Sequence, residues 1–171
     1  MAEREILMLG NPVLWQKSLP VSEFHSDELR ALVSDLDDTL AAFRRRQGFG
    51  RGIAAPQVGI LKRVIFIRML PSGFSDAMIN PQILWQSGQT AEIWDSCFSF
   101  PELEVKIVRA TDIRVQYQNP EDELKTIEAT ADLSELLQHE IDHLDGILAT
   151  DRAISPRAFR IRSRLELPKS S

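Results

Sequence analysis

The sequence predicts an α+β fold with mostly antiparallel strands, and three observations carry that reading. Short apolar segments punctuated by turn residues fill the middle of the chain, from Val64 to Ile127. Segments with helical periodicity stand before and after this block instead of alternating with each strand, which disfavours a parallel sheet built from crossovers. A length of 171 residues, 43% of them apolar, suits one compact domain spanning residues 1–171.

The elements follow in order. Asn11-Pro12 and Leu19-Pro20 mark an extended, turn-rich N-terminal segment laid over the core surface. Ser26-Asp27 offers a helix cap, and Leu29, Leu32, Val33, Leu36, Leu40 and Phe43 follow at helical spacing, predicting a helix to about Arg46. His25, at its entrance, suits a surface position and receives no role. Val64 to Ile67 reads as a buried strand, and Asp76 to Leu84 as a second, interrupted at Asn80-Pro81 because proline cannot donate to a ladder. Ile93 to Phe100 is a third, ending at Pro101. Val105 to Val108, Ile113-Val115-Tyr117 and Leu124 to Ile127 complete the set, with a turn at Asn119-Pro120. Leu133, Leu136, Leu137, Ile141 and Leu144 recur at three- and four-residue spacing, the mark of a helix with one buried stripe. Ser155-Pro156 then supplies a cap and a first-turn proline for a C-terminal helix carrying Arg157, Arg160, Arg162 and Arg164 against Glu166. That helix reads first as a solvated basic face; a docking surface for a ribosome or another acidic partner is the alternative.

Charge and composition narrow the function. A formal net charge of −5 argues against a dedicated DNA-binding protein. No apolar run approaches the length of a membrane span, and MAEREILMLG lacks the parts of a secretory signal, so a cytoplasmic protein is expected. The single cysteine, Cys97, has no internal disulfide partner and is a buried small hydrophobe, a free thiol or a metal ligand.

The chemistry concentrates in His139-Glu140-Ile141-Asp142-His143. At roughly 100° per residue, His139 and His143 fall about 40° apart at one border of the apolar stripe, so both imidazoles can meet one object. Two neutral imidazoles one turn apart can ligate a divalent metal, with the intervening glutamate close enough to take a proton from water on that metal. Glu140 projects into the stripe, where a structural helix would carry leucine and where a carboxylate loses hydration. Upstream, Gly48, Gly50 and Gly52 fall within five positions, a pattern that permits close backbone approach to a bound peptide. The segment matches neither a phosphate loop nor a dinucleotide fingerprint.

Three segments, in order, resemble the peptide deformylase family. Gly50-Arg51-Gly52-Ile53-Ala54-Ala55-Pro56-Gln57 is similar to that family's Gly-x-Gly-x-Ala-Ala-Pro-Gln. Asp95-Ser96-Cys97-Phe98-Ser99 resembles a diverged Glu-Gly-Cys-Leu-Ser, and Gln138 to Leu144 matches Gln-His-Glu-x-Asp-His-Leu in full. Weaker echoes lie at Gly10 to Leu14, at Arg109, at Gly146-Ile147-Leu148 and at Asp151-Arg152. The resemblance implies a metal-binding helix packed among antiparallel sheets and a hydrolase that removes the formyl group from the N-terminal formyl-methionine of nascent polypeptides. It implies Cys97, His139 and His143 as ligands to one divalent ion, usually iron(II), with zinc, nickel or cobalt able to replace it. Glu140 would move the proton, the Gln57 amide and the Phe98 backbone N–H would stabilise the oxyanion, and Gly50 and Gly52 would line the peptide. Gln138 and Asp142 would be supports, Asp142 facing away from the metal.

The departures cluster at the substrate pocket. Arg51 replaces a small or aliphatic residue, Asp132 an apolar one, Asp95-Ser96 the Glu-Gly pair, and Phe98 a leucine. An Arg51–Asp132 pair would reshape the pocket; otherwise Asp132 caps the helix with Glu135 and Arg51 points to solvent. Besides the deformylase, a related amidase acting on another N-acyl substrate and a binding protein that keeps the fold without catalysis are open.

Overall fold

The structure, a computed structural model, describes residues 3–69 and 73–162. Its elements are α1 (Asp27–Gln47), β1 (Gly52–Ala54), β2 (Val64–Met69), β3 (Phe74–Gln86), β4 (Thr90–Cys97), β5 (Phe100–Ala110), β6 (Asp112–Gln118), β7 (Leu124–Thr130), α2 (Ala131–Leu144) and β8 (Phe159–Ile161). The strands form two antiparallel sheets, ordered β1-β2-β3-β6-β7 and β4-β5-β8.

The period-two alternation of β2 assigns the two helices to opposite faces of the larger sheet. Val64 and Phe66 join Leu29, Leu32, Leu36, Leu40 and Phe43 of α1 in one core, while Ile65 and Ile67 join Leu137, Ile141 and Leu144 of α2 in another. Each such side chain, fully buried, contributes roughly 1.5–3 kcal/mol. The Ser26 hydroxyl accepts the Leu29 N–H at 3.2 Å, and Gly48 ends α1 with φ 75°.

Polar bonds tie α2 to the smaller sheet. Gln138 Oε1 accepts the Ala110 N–H at 3.1 Å, while its Nε2 and the Ser134 hydroxyl donate to the Ala110 carbonyl, each at 2.9 Å. Ala110 ends β5, and β4 runs back along that strand to deliver Cys97 to the helix. The N-terminal segment braces the same region: the Leu7 N–H donates to the Gln57 carbonyl and the Leu9 N–H to that of Ser99, both at 2.8 Å.

The interruption expected at Asn80-Pro81 is an irregularity within β3: Asn80 takes φ 51° and the register slips between Ile79 and Gln82, which accommodates proline's missing donor. Two expectations require correction. The strand predicted over Ile93 to Phe100 is split, since Phe98-Ser99 turns the chain and Cys97 pairs with Phe100 across it. The C-terminal helix does not form over the described residues: the chain turns at Ser155–Arg157 and then runs as β8 on the free edge of β5. Leu103 to Val105 offer unpaired main chain there, which Phe159 and Ile161, good strand formers, occupy. Arg160 meets Glu104 at 2.6 Å and lies over the Trp94 ring, so the basic helical face expected for docking is absent from this stretch. Arg164 and Glu166 lie outside the described residues.

Candidate active site

α2 brings its two histidines to one point because four residues make about one turn. His139 Nε2 and His143 Nε2 lie 3.1 Å apart, Cys97 Sγ is 3.4 Å from His143 Nε2, and the three donor atoms all fall within 4.8 Å of one another. All three residues are buried. A tetrahedral centre with bonds of about 2.0–2.3 Å needs its donors roughly 3.3–3.6 Å apart, so this set fits a divalent ion. Asp95 Oδ2 is 2.8 Å from His139 Nδ1, a bond that holds the ring with Nε2 toward the other donors, the orientation a ligating imidazole needs.

Asp95 is itself held. Arg109, 3% exposed, reaches Asp95 at 3.3 Å and Asp142 at 2.5 Å, and Arg152 grips Asp142 through two bonds of 2.6 and 2.7 Å. Asp142 thus faces away from the donors and anchors a chain of charges leading back to His139. Burial opposes ionisation of Asp95, but His139 and Arg109 outweigh it and hold the carboxyl below its usual value. Burial likewise depresses His139, yet Asp95 and the neighbouring thiol raise it well above an ordinary histidine; burial and repulsion from His139 push His143 well below.

Glu140, 3% exposed, lies beside the donors, and its Oε2 has no hydrogen-bond partner among the described residues. Burial, the largest influence, pushes its carboxyl up to about 7. Gly52 seats it: a Cβ there would stand 2.7 Å from Glu140 Oε1. Gln57 follows β1 in the 3₁₀ turn Ala55–Val58. Its Oε1 accepts the Ala54 N–H at 3.0 Å, which orients Nε2 toward Cys97 Sγ at 3.5 Å and the Ser99 hydroxyl at 3.3 Å. Phe98 stacks on Phe43 with centroids 3.7 Å apart, and Gly50 packs against that ring so closely that a Cβ would lie 2.3 Å from it.

One cavity of about 400 Å³ is lined by Gly50, Arg51, Gly52, Gln57, Cys97, Phe98, His139 and Glu140. His143 is buried behind it, and Asp132 stands outside the lining. Asp132 pairs with Arg51 at 3.4 Å and sits in the first turn of α2; the N-cap is Thr130, so the capping alternative is not what forms. Four residues of this centre were not singled out as site residues from the sequence: Asp95, Arg109, Arg152 and Glu135, which also lines the cavity. For Asp95 a signal existed, since residues two apart on a strand share a face and the lone cysteine stands two positions on.

A family model described as polypeptide deformylase matches residues 3–158. The chain is 41% identical over 152 residues to the peptide deformylase of Heliobacterium modesticaldum, covering 89% of this chain and 95% of that protein. The crystal structure of peptide deformylase from Thermotoga maritima superimposes with a TM-score of 0.82 at 35% identity, covering 91% of this chain and 100% of that one. The Met-Ala-Ser-bound class I type b peptide deformylase of Acinetobacter baumannii gives 0.79 at 31% identity, covering 88% and 98%. With its fold and nearly its whole length matched in this way, the chain belongs to the polypeptide deformylase family.

Proposed function

We propose that the chain, acting as one catalytic domain in the cytoplasm, hydrolyses the N-terminal formyl group of formyl-methionyl nascent polypeptides and releases formate. The observation that carries this reading is the convergence of Cys97, His139 and His143 beside a buried, unpartnered carboxylate oxygen of Glu140 in a single cavity. Cys97, His139 and His143 are assigned as ligands to one divalent ion, iron(II) by preference with zinc, nickel or cobalt as substitutes; when bound it supplies Lewis acidity to the attacking water and the formyl oxygen.

The chain's own residues do the rest. Glu140 accepts the proton lost as water adds to the formyl carbon, then returns it to the departing amine nitrogen as the C–N bond breaks. The Gln57 Nε2 and the Phe98 backbone N–H donate to the oxyanion; the Ala54 N–H bond to Gln57 Oε1 sets that amide's orientation before substrate arrives. β1 is an edge strand of the larger sheet, so an extended peptide can lie along it beside Gly50 and Gly52. The Met-Ala-Ser held by the Acinetobacter relative is a peptide of that kind. A second reading, an amidase for another N-acyl substrate, is favoured only by the charged Arg51–Asp132 pair beside the cavity.

Metal analysis of anaerobically purified protein, paired with a formate-release assay on formyl-methionyl-alanyl-serine, tests the assignment. About one equivalent of divalent ion and formate release are expected. A fully loaded protein that releases no formate from any formylated peptide refutes it.

A further inference from the structure

We propose that Arg162 is a positioning residue for the peptide: carried at the end of β8, it crosses from the smaller sheet to the Phe49 ring on the opposite wall of the reaction cavity and holds the two walls at the spacing an extended chain needs. The inference rests on the deformylase reading above.

Residues two apart on a strand share a face, so β8 turns Arg160 and the following Arg162 to the same side. Arg160 stays on its own sheet: its guanidinium lies over the Trp94 ring of β4, 4.1 Å from the centroid, and its Nε donates to Glu104 at 2.6 Å. Arg162 is tied to β5 through its main chain, its N–H donating to the Glu102 carbonyl at 2.8 Å, while its guanidinium sits 3.4 Å from the centroid of Phe49. Phe49 belongs to the other wall, in the loop between α1 and β1. Trp94, Phe49 and Arg162 all line the cavity. Arg44 and Arg51 line it too, but they stand on the Phe49 side, where Arg44 donates to the Arg68 carbonyl at 3.5 Å and Arg51 pairs with Asp132. Of the arginines described along the cavity, Arg162 is the one that joins its two walls.

The loop needs such a tie. Phe49 stands between Gly48 at φ 75° and Gly50 at φ 116°, positions that glycine enters without a side-chain penalty and leaves as easily. Held under the guanidinium, the ring meets Phe43 and Phe98 edge-on, with centroids 5.2 and 6.1 Å away. β1 is an edge of the larger sheet and β4 an edge of the smaller. An extended peptide can pair with both only where they lie two strand spacings apart, about 9.5 Å. A loop swung outward at Phe49 would leave the peptide bonded to one edge. Gly52 seats Glu140 at the reacting end, and Phe49 lies outward of it along the chain, so the effect falls on the peptide beyond the formylated residue and spares the formyl group.

Arg162→Ala in the metal-loaded protein tests the tie. KM for formyl-methionyl-alanyl-serine should rise about fivefold, the worth of about one main-chain hydrogen bond, with kcat within about twofold of the parent. Formyl-methioninamide, which carries no chain beyond the first residue, should keep its parental KM. Calorimetry with Met-Ala-Ser, already free of formyl, should show the same weakening without any turnover. Arg162→Lys, which keeps a cation over the ring, should restore most of the affinity. In a double-mutant cycle, Arg162→Ala should add nothing once Phe49→Leu is in place. Parental affinity in Arg162→Ala, an equal loss on both substrates, additive effects of Arg162→Ala and Phe49→Leu, or a fall in metal content or kcat with peptide affinity intact overturns the proposal. Absence of formate from every substrate with the calorimetric pattern intact would sink the deformylase reading and leave the tie standing.

Discussion

Gly52→Ala disturbs the seat of Glu140 without touching a metal donor. The new Cβ would lie 2.7 Å from Glu140 Oε1 and 2.9 Å from Ile67 Cδ1, against an ordinary contact of at least 3.4 Å, so the carboxylate must retreat by about 0.7 Å and the isoleucine tip by about 0.5 Å. The backbone of Gly52 is not in the left-handed region, which makes the contact the whole effect. Overpacking of this size costs about 1–3 kcal/mol, offset by about 0.4–1 kcal/mol from the stiffer unfolded chain. The net loss is roughly 0–2.5 kcal/mol, a fall in Tm of no more than about 10 °C for a chain of this length. Activity should suffer more, because a displacement near 1 Å in a reacting group can lower a rate by about 10²-fold. No ligand atom is touched, so metal content should hold.

The assay is kcat for formate release together with metal content and thermal unfolding, with Gly50→Ala as the contrast. At Gly50 the backbone has φ 116° and the Cβ would lie 2.3 Å from the Phe98 ring, so stability should fall before chemistry does. A Gly52→Ala protein that keeps its metal and turns over like the parent would refute the placement of Glu140 as the proton carrier.

Further outcomes follow from the same geometry. Cys97→Ser should lose bound metal on dialysis while the parent retains it, as read by elemental analysis; equal retention would remove Cys97 from the centre. Asp95→Ala frees the His139 ring and leaves Arg109 short of a partner, so metal affinity should drop about 10–100-fold in a competition titration. Gln57→Ala removes one oxyanion donor and should lower kcat about 10²–10³-fold with the metal in place, a loss that parental kcat would contradict. Glu140→Gln should reveal a pH-dependent stability gain in the metal-free protein. The folded carboxyl, raised from 4.5 to about 7, favours the fold below the lower value, and that contribution is lost as pH rises through 7. The parent thus bears a deficit of about 3 kcal/mol above pH 7 that the amide lacks, measurable by urea unfolding at pH 5 and 8; a difference that does not change with pH would contradict it.

What could be read from the chain divides by the range of the interaction. The α1 and α2 registers are local, set by apolar spacing within a few turns, and both helices form where Leu29 to Phe43 and Leu133 to Leu144 place them. The β4–β5 turn was hidden because Ile93 to Phe100 is apolar enough to pass for one strand; only pairing with Glu104 and Val105 reveals that Phe98-Ser99 reverses the chain. The tie that fixes the irregularity at Asn80 is equally non-local, since its bond to the Val21 main chain crosses 59 positions. The C-terminal segment carried a sound cap signal in Ser155-Pro156, but an open edge on β5 recruited it as a strand. Propensity lost to a tertiary vacancy.

The candidate centre divides the same way, and the division explains why the charge chain is not legible in the sequence. His139, Glu140 and His143 share one helix, so their spacing alone brings them together. Arg152, Asp142, Arg109 and Asp95 come from four separate stretches, and nothing in their spacing predicts that they meet. Yet their order is forced once α2 is docked. Gln138 fixes the helix on Ala110, the residue after Arg109, so Arg109 enters beneath Asp142 at one end of its reach and Asp95 on the paired strand at the other. A buried guanidinium between two carboxylates is tolerable only because each charge is matched, and removing any one strands its neighbour at a penalty of about 3–5 kcal/mol. The bond that aims His139 Nε2 is therefore the last link of a chain whose other links hold the fold together. Loosening the imidazole by mutation at Arg109, Asp142 or Asp95 must therefore destabilise the protein as well, and least at Asp95, since Arg109 then keeps Asp142 as its partner.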